Sequence, residues 1–181
     1  MSTGTPELSH VQAMWADDEA SRGLGMELLD VGHDGRLGWS SVRMPVTEVM
    51  VNGHKIMHGG LIFTLCDSAF ALACNATGRL TVASGCDINF VTSARLGDVL
   101  VAQAQERAAY GRNGLTDVTV TRESDGELIA EFRGRSRALT PRTAAQAAPT
   151  GDSDTAHAES DTSDAGSAAP GPNSGKNQEN R

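Results

Sequence analysis

Apolar and polar positions divide the first part of the chain into a short helix, two strands, a longer helix and four strands. Within residues 6–21, four apolar residues recur at helical spacing and predict the short helix: Leu8, Val11, Met14 and Trp15. Residues 25–45 predict two strands, joined near an Asp34-Gly35 pair that favours a hairpin turn. Residues 46–57 predict a loop.

The pattern over residues 58–76 is the most distinctive, because apolar side chains occur on every side of the helical wheel. A helix of that kind is enclosed by other structure instead of lying on a surface. Gly78 follows at a position typical of a helix end. We therefore expect one long helix at the centre of the fold.

Four extended segments follow the long helix: 81–91, 98–109, 115–122 and 127–139. In the last segment one face is apolar and the other is charged. The apolar residues are Leu128, Ala130 and Phe132, and the charged ones are Glu131, Arg133, Arg135 and Arg137. Short turns between the strands favour antiparallel pairing. The predicted fold class is α+β, with an antiparallel sheet wrapped around one long apolar helix.

Composition changes after residue 142. Residues 143–181 contain no cysteine and no large aliphatic or aromatic residue. Such a segment cannot bury enough apolar surface to offset its ordering entropy. We therefore expect one folded domain over residues 1–142 and a disordered acidic tail, rich in Ala, Gly, Ser and Asp, over residues 143–181.

Charge, apolar stretches, the N-terminal residues and cysteine content each argue against a class of protein. The net charge is −8, and no basic patch suggests a nucleic-acid partner. The longest apolar stretch, residues 61–74, is shorter than the ~20 residues of a membrane span. Residues 1–10 lack the features of a signal peptide. The three cysteines include no closely spaced pair, which argues against a disulfide framework and against a zinc site. We therefore expect a cytoplasmic protein, and we expect it to hold no metal.

One acidic residue, Asp67, interrupts the apolar pattern of the long helix. A buried carboxylate is costly unless it is hydrogen-bonded or lines a cavity. The first possibility makes Asp67 structural, bonded to Ser68, Thr64 or nearby backbone. The second makes it functional, and burial alone does not decide between them.

Two glycines, Gly59 and Gly60, begin the same helix. They leave the first backbone N–H groups uncovered at the positive end of the helix dipole, which suits the oxyanion of a polarised carbonyl. The alternative is that the glycines only permit close packing. Gly59 and Asp67 lie about 12 Å apart along the helix axis, so they can act on one carbonyl only if two chains each supply one of them.

These residues carry a family resemblance. The segment from Asn52 to Asn75, NGHKIMHGGLIFTLCDSAFALACN, resembles the signature of the hotdog-fold acyl-CoA thioesterases, and most closely the phenylacetic-acid-degradation branch. That pattern has an Asn-Gly-His turn, then His-Gly-Gly, then an Asp eight residues after the first Gly, followed by Ala-Phe-Ala. The Phe-Arg-Gly-Arg-Ser run at residues 132–136 resembles the family's last strand. The resemblance covers roughly residues 20–140 and implies a hotdog fold.

The resemblance also implies roles for individual residues. Asp67 matches the family carboxylate, which acts as nucleophile or general base. The Gly59 N–H matches the oxyanion donor, and Asn52 and His58 match polar residues beside the reacting carbonyl or water. The remaining candidates, as substrate-binding residues, are Gly60, Ser68, Phe63, Arg112 and Arg133. The family is usually a homotetramer built from dimers, with each site across a dimer interface, and the reaction requires no metal or cofactor.

Three of these candidates have competing interpretations. The arginine ladder of Arg133, Arg135 and Arg137 could hold the phosphates of coenzyme A, but such a ladder is more often a solvated face, here paired to Glu131 or Glu127. Arg112, beside Gly111 in a turn, has a similar claim. Phe63 could line an aryl pocket, or it could belong to the core. Another hotdog branch uses a Glu with a Thr four residues on, whereas here the pair would be Asp67 and Ala71.

The sequence therefore predicts hydrolysis of an acyl-CoA thioester, with hydroxyphenylacetyl-CoA or another aryl-acyl-CoA as the expected substrate in phenylacetate catabolism. The expected partners are the substrate and further copies of the chain, as a homodimer or homotetramer. The alternatives are a medium- or long-chain acyl-CoA thioesterase and a non-catalytic acyl-CoA-binding regulator.

Overall fold

The computed structural model describes residues 8–140, so the predicted tail over residues 143–181 lies outside the described part of the chain. The helices are Ser9–Ala16 (α1), Glu19–Gly23 (α2) and Gly59–Asn75 (α3), and a 3₁₀ turn covers Glu48–Met50. The strands are Glu27–His33 (β1), Gly38–Pro45 (β2), Thr81–Phe90 (β3), Val99–Tyr110 (β4), Asn113–Arg122 (β5) and Leu128–Ala138 (β6). None of the helices among these residues is long and apolar enough to cross a membrane.

The six strands form one sheet in the order β1-β2-β4-β5-β6-β3, and every neighbouring pair is antiparallel. The predicted α+β arrangement is confirmed, and the last four strands agree with the prediction to within two residues at each end. α3 packs on the sheet, with buried side chains along its length from Ile62 to Asn75. The long helix predicted over residues 58–76 is therefore the centre of the core.

Two glycines let the sheet approach α3 closely. A Cβ atom on Gly38 of β2 would overlap the carbonyl oxygen of Ala73, and one on Gly134 of β6 would lie 2.6 Å from the Phe70 ring. The Ser40 hydroxyl of β2 also donates a hydrogen bond of 2.7 Å to the Ala69 carbonyl. These contacts fix the axis of α3 against the sheet, and with it the positions of all the candidate residues on that helix.

The N-terminal segment differs from its prediction. The single helix expected over residues 6–21 is wrong, because the chain breaks it at Asp17 and Asp18 into α1 and α2. The Asp18 carboxylate accepts a hydrogen bond of 2.9 Å from the Ser21 N–H. Aspartate at this position caps a helix N-terminus, so a second helix starts there and the first one ends.

β3 is less buried than its alternating pattern suggests. Val82 and Phe90, two apolar residues of the alternating pattern over residues 81–91, are 44% and 54% exposed. The reason is the position of β3 at the edge of the sheet, where it pairs only with β6, together with a register irregularity between Ala83 and Gly85. An edge strand has neighbours on one side only, so its apolar side chains are covered incompletely.

Candidate active site

The N-terminus of α3 has one free backbone donor. His58 caps the helix in an extended conformation, and its Nδ1 atom accepts a hydrogen bond of 3.1 Å from the Gly60 N–H. The His58 carbonyl accepts a bond of 2.9 Å from the Leu61 N–H. Within residues 8–140 no acceptor is bonded to the Gly59 N–H. This N–H is therefore an unpaired donor at the positive end of the helix, where a negative charge would be stabilised.

A cavity of about 290 Å³ lies beside this helix end, and its wall includes Asn52, Gly59 and Phe90. The Phe90 ring lies against the backbone of Gly59, since a Cβ atom built there would be 3.0 Å from Phe90 Cζ. The remaining lining residues are mainly apolar: Ile56, Met57, Ile62, Val91, Thr92 and Ser93. The site is therefore a mostly apolar cleft with a hydrogen-bond donor at one end.

Asn52 holds the turn that precedes α3. Its backbone N–H donates to the Ile56 carbonyl at 2.8 Å, and its Oδ1 atom accepts from the His54 N–H at 2.8 Å. Lys55 completes this tight turn with a φ of 63°. Among the described residues nothing accepts a hydrogen bond from the Asn52 amide nitrogen, so that group is available on the wall of the cavity.

Asp67 lies in the middle of α3 and is half-buried. Its carboxylate makes no hydrogen bond to any described residue. The neighbours that a structural role would require are bonded elsewhere. The Thr64 hydroxyl donates to the Gly60 carbonyl at 2.9 Å, and the Ser68 hydroxyl bonds to the Ser21 hydroxyl at 2.8 Å. Asp67 is therefore a half-buried carboxylate free to act on another molecule.

Two effects raise the pKa of Asp67 above its ordinary value of 3.8: burial is the larger, and the negative charge of Asp18 is the smaller. Both disfavour the ionised form, because desolvation penalises charge and like charges repel. A raised pKa makes the carboxylate a stronger base than an ordinary surface aspartate. This is the shift that general-base catalysis by a carboxylate uses.

The structure places Phe63 and Phe70 in or against the core. Phe63 packs edge-on against Phe132 with ring centroids 5.5 Å apart, and Phe70 is almost fully buried, 5.9 Å from the same ring. Phe63 does not line the cavity at Gly59. Within one chain it therefore packs as a core residue.

Two members of the arginine ladder, Arg133 and Arg135, form ion pairs, but not with the partners expected from sequence. Arg133 forms a bidentate ion pair with Asp117 at 2.6 and 2.9 Å, and Arg135 pairs with Asp87 at 2.6 Å. The predicted partners Glu131 and Glu127 are wrong: they accept hydrogen bonds from threonines. The reason is the strand register, which sets Asp117 of β5 directly opposite Arg133 of β6.

Arg112 lies exposed in the β4–β5 turn, where its carbonyl accepts a bond of 2.7 Å from the Ala138 N–H. Its side chain lines a narrow cleft with Arg36 and Arg79. This cleft shares no lining residue with the cavity at Gly59.

One chain brings together only part of the predicted site. Gly59, Asn52 and His58 meet at the start of α3, whereas Asp67 lies about 12 Å further along the helix axis. Sequence reasoning missed Phe90, which covers Gly59, and the pair Asp18 and Ser21, which approach Ser68 and Asp67. An Asp-Asp pair interrupting the helical pattern at residues 17–18 was the one available signal for the second group.

Known proteins resemble this chain in both sequence and fold. The model of the thioesterase superfamily matches residues 54–129. The chain is 36% identical over 130 residues to the acyl-coenzyme A thioesterase PaaI of Escherichia coli K12, which covers 72% of this chain and 89% of that protein. The structure of that E. coli protein, from the phenylacetic acid degradation operon, has been solved and matches this chain with a TM-score of 0.68. The aligned region covers 74% of this chain and 97% of the E. coli chain.

A second similar protein, smu.793 of Streptococcus mutans UA159, has been solved bound to acetyl-CoA. Its sequence is 25% identical to this chain and the TM-score is 0.58. The aligned region covers 63% of this chain and 88% of smu.793. The hotdog fold implied by the sequence resemblance is confirmed by these similarities. The chain belongs to the thioesterase superfamily, a family of hotdog-fold enzymes.

Proposed function

We propose that this protein hydrolyses acyl-CoA thioesters to a free carboxylic acid and coenzyme A. The observation that carries the proposal is an unsatisfied N–H at the start of α3, on Gly59, combined with a half-buried, unbonded carboxylate on the same helix. Acyl transfer needs these two groups: a donor for the oxyanion and a base or nucleophile at the carbonyl carbon. The acyl-CoA class comes from the thioesterase PaaI and the acetyl-CoA-bound protein described above.

In the proposed mechanism the thioester oxygen accepts a hydrogen bond from the Gly59 N–H. The helix dipole stabilises the negative charge that develops on that oxygen. Asp67 then either attacks the carbonyl carbon or removes a proton from an attacking water molecule, and the C–S bond breaks to release the coenzyme A thiolate. Asn52 and His58 hold the reacting water or carbonyl.

A single turnover in water labelled with heavy oxygen tests the nucleophilic role of Asp67, because only that role places the label in the Asp67 carboxylate. If Asp67 is the nucleophile, an acyl-enzyme anhydride forms, and its hydrolysis can leave the label in the Asp67 carboxylate. If Asp67 is a general base, the label enters the product acid in the first turnover. Mass spectrometry of the product and of the peptide containing Asp67 reads both outcomes.

The site requires two copies of the chain, in a homodimer or a homotetramer built from dimers. Gly59 and Asp67 are separated by about 12 Å along α3, so each thioester contacts Gly59 of one chain and Asp67 of another. The edge strand β3 supports this proposal. Its outer edge pairs with no described strand, and it ends at exposed Phe90, which exposed Val91 follows. Such an edge is suited to pairing with a second chain.

The proposed acyl group is aromatic, such as hydroxyphenylacetyl. This substrate class comes from the phenylacetic acid degradation operon of the similar E. coli protein, and the apolar cleft beside Phe90 suits an aryl ring. For the phosphates of coenzyme A, Arg112 is the stronger of the two candidates. Arg133 is already neutralised by Asp117, whereas the Arg112 side chain is exposed and makes no ion pair within residues 8–140.

A panel of acyl-CoA esters tests the proposal, with release of coenzyme A followed by a thiol reagent. Phenylacetyl-CoA and its hydroxylated forms are compared with octanoyl-CoA and palmitoyl-CoA, and Asp67→Asn is the matched control. Burial raises the pKa of Cys66 and Cys74 to about 12, so these thiols react poorly with the reagent. The background signal of the enzyme itself then comes from Cys86, which is partly exposed, and it is subtracted. We expect the highest kcat/KM with the aryl esters. Faster hydrolysis of straight chains would contradict the aryl assignment, and tight binding without hydrolysis would identify a regulator.

A further inference from the structure

Three side chains connect α2 to the middle of α3. The Ser21 hydroxyl lies 2.6 Å from Asp18 Oδ2 and 2.8 Å from the Ser68 hydroxyl. Ser21 is only 1% exposed, so water does not compete for these bonds. Ser68 is the residue next to Asp67.

The direction of each bond in this chain follows from the chemistry of the groups. An ionised carboxylate only accepts hydrogen bonds, so the Ser21 hydroxyl donates to Asp18. A hydroxyl has one hydrogen, so Ser21 must accept from Ser68. The hydrogen of Ser68 is therefore committed to Ser21, and Ser68 has no hydrogen left to donate to the neighbouring Asp67.

Resting on the proposed function, we propose that Asp18 is a positioning residue of the active site, which acts through Ser21 to hold the Ser68 hydroxyl turned away from Asp67. Asp18 does not touch the substrate in this account. It withholds a hydrogen-bond donor from the reacting carboxylate and adds a negative charge nearby. Both effects act in the same direction, because a donor stabilises an ionised carboxylate and a like charge destabilises it.

The electrostatics around Asp67 agree with this geometry. The pKa of Asp67 is raised first by burial and second by the charge of Asp18. The other titratable groups near Asp67 are thiols, and burial raises the pKa of each, so they are neutral at assay pH: Cys66 and Cys74 on α3, and Cys86 on β3. The negative charge of Glu131 on β6 helps to raise the pKa of Cys66, and that of Glu106 on β4 helps to raise the pKa of Cys74. Among the described residues, Asp18 is thus the charge that acts on Asp67.

The competing explanation is that Asp18 is only a helix cap. It does cap α2, through its bond to the Ser21 N–H. The two roles are separable by substitution, because asparagine is as good an N-cap as aspartate. Asp18→Asn keeps the cap, removes the charge, and supplies an amide that donates to Ser21, which frees the Ser68 hydrogen for Asp67.

The test is an NMR titration of the Asp67 side-chain carboxyl in wild type, Asp18→Asn, Ser21→Ala and the control Glu19→Gln. Glu19 is an exposed acid on the same helix, paired with Arg22. We expect the pKa of Asp67 to fall by about 0.5 pH unit, a threefold change in protonation, in Asp18→Asn. Ser21→Ala should give a smaller fall, because it releases Ser68 but retains the Asp18 charge. Glu19→Gln should leave the pKa of Asp67 unchanged.

The acid limb of the pH profile of kcat/KM should move with the NMR value, to lower pH in Asp18→Asn. A lower melting temperature with an unmoved Asp67 titration in both variants would overturn the inference and leave Asp18 a cap. A fall as large in Glu19→Gln would also overturn it. The titration needs no turnover, so it decides the inference even if wild type hydrolyses no acyl-CoA, a result that would refute the proposed function separately.

Discussion

Gly59 and Asp67 belong to the same helix, yet they lie about 12 Å apart along its axis. In the proposed mechanism the free N–H of Gly59 and the unbonded carboxylate of Asp67 act on one thioester, and one helix cannot bring both to one carbonyl carbon. Under that proposal each chain supplies half of two sites. This separation makes the need for a second copy directly testable.

Mixing two inactive variants, Asp67→Asn and Gly59→Val, should restore activity. In a mixed dimer one of the two sites has an intact Gly59 from one chain and an intact Asp67 from the other. With random exchange half of the dimers are mixed and half of their sites are intact, so we expect roughly a quarter of wild-type activity. The measurement is hydrolysis rate after subunit exchange, verified with differently tagged chains.

The controls are the two variants alone, each carried through the same exchange protocol, and both should stay inactive. A fully active monomeric wild type would contradict the shared site. So would the absence of recovery in a sample in which mixed dimers have been isolated.

Substitutions at Gly59 should act through Phe90. A Cβ atom on Gly59 would lie 3.0 Å from the ring of Phe90, so Gly59→Ala must displace this ring. We expect Gly59→Ala to lower kcat/KM. Gly59→Val, whose branched side chain blocks access to the N–H, should lower it by ~100-fold or more, as loss of an oxyanion donor does. Adding Phe90→Ala to Gly59→Ala should recover part of the loss.

A double-mutant cycle over Gly59→Ala and Phe90→Ala measures this coupling. Additive effects of the two substitutions would show that the ring does not obstruct the added methyl group. The single variant Phe90→Ala also reports the direct contribution of the ring to substrate binding, read as a change in KM.

The pH dependence of activity should follow Asp67. This carboxylate must be ionised to act, and burial together with Asp18 raises its pKa above 3.8. Activity is therefore lost as pH falls through the raised value, at a higher pH than for an ordinary aspartate. The measurement is kcat/KM against pH, and an acid limb at or below 3.8 would disagree with the assignment of Asp67.

The same raised pKa predicts that Asp67 costs stability. In the unfolded chain the carboxyl ionises near 3.8, and in the folded protein at a higher pH. The stability associated with the protonated form is present below 3.8 and lost as pH rises through the folded pKa. Asp67→Asn should therefore melt at a higher temperature than wild type at neutral pH and at a similar one below pH 3.8. Calorimetry at both pH values measures this difference, and a variant less stable at neutral pH would refute the prediction.

Local pattern was sufficient to predict the central elements. α3 has apolar residues on all sides, a pattern that indicates a helix enclosed by other structure, and here the sheet covers it. The last four strands follow from alternation and turn residues, which are short-range signals. The His-Gly-Gly segment locates the helix start for the same reason, since its capping involves neighbouring residues only.

The features that sequence reasoning missed depend on long-range contacts. The bond between Ser21 and Ser68 joins positions 47 residues apart. The pairing of Arg133 with Asp117 depends on strand register, which a charge pattern does not determine. The exposure of Phe90 follows from the position of β3 at the sheet edge, and that position is a property of the whole topology.

The most direct test of the account is kcat/KM of Asp67→Asn with the best acyl-CoA substrate. The substitution is nearly isosteric and removes only the charge, so the fold should persist while turnover falls by at least ~100-fold, the lower range for a positioned acid or base. Asp125→Asn, a change of the same kind at an exposed turn, is the matched control and should retain activity. A folded Asp67→Asn protein with near wild-type kcat/KM would contradict the central claim.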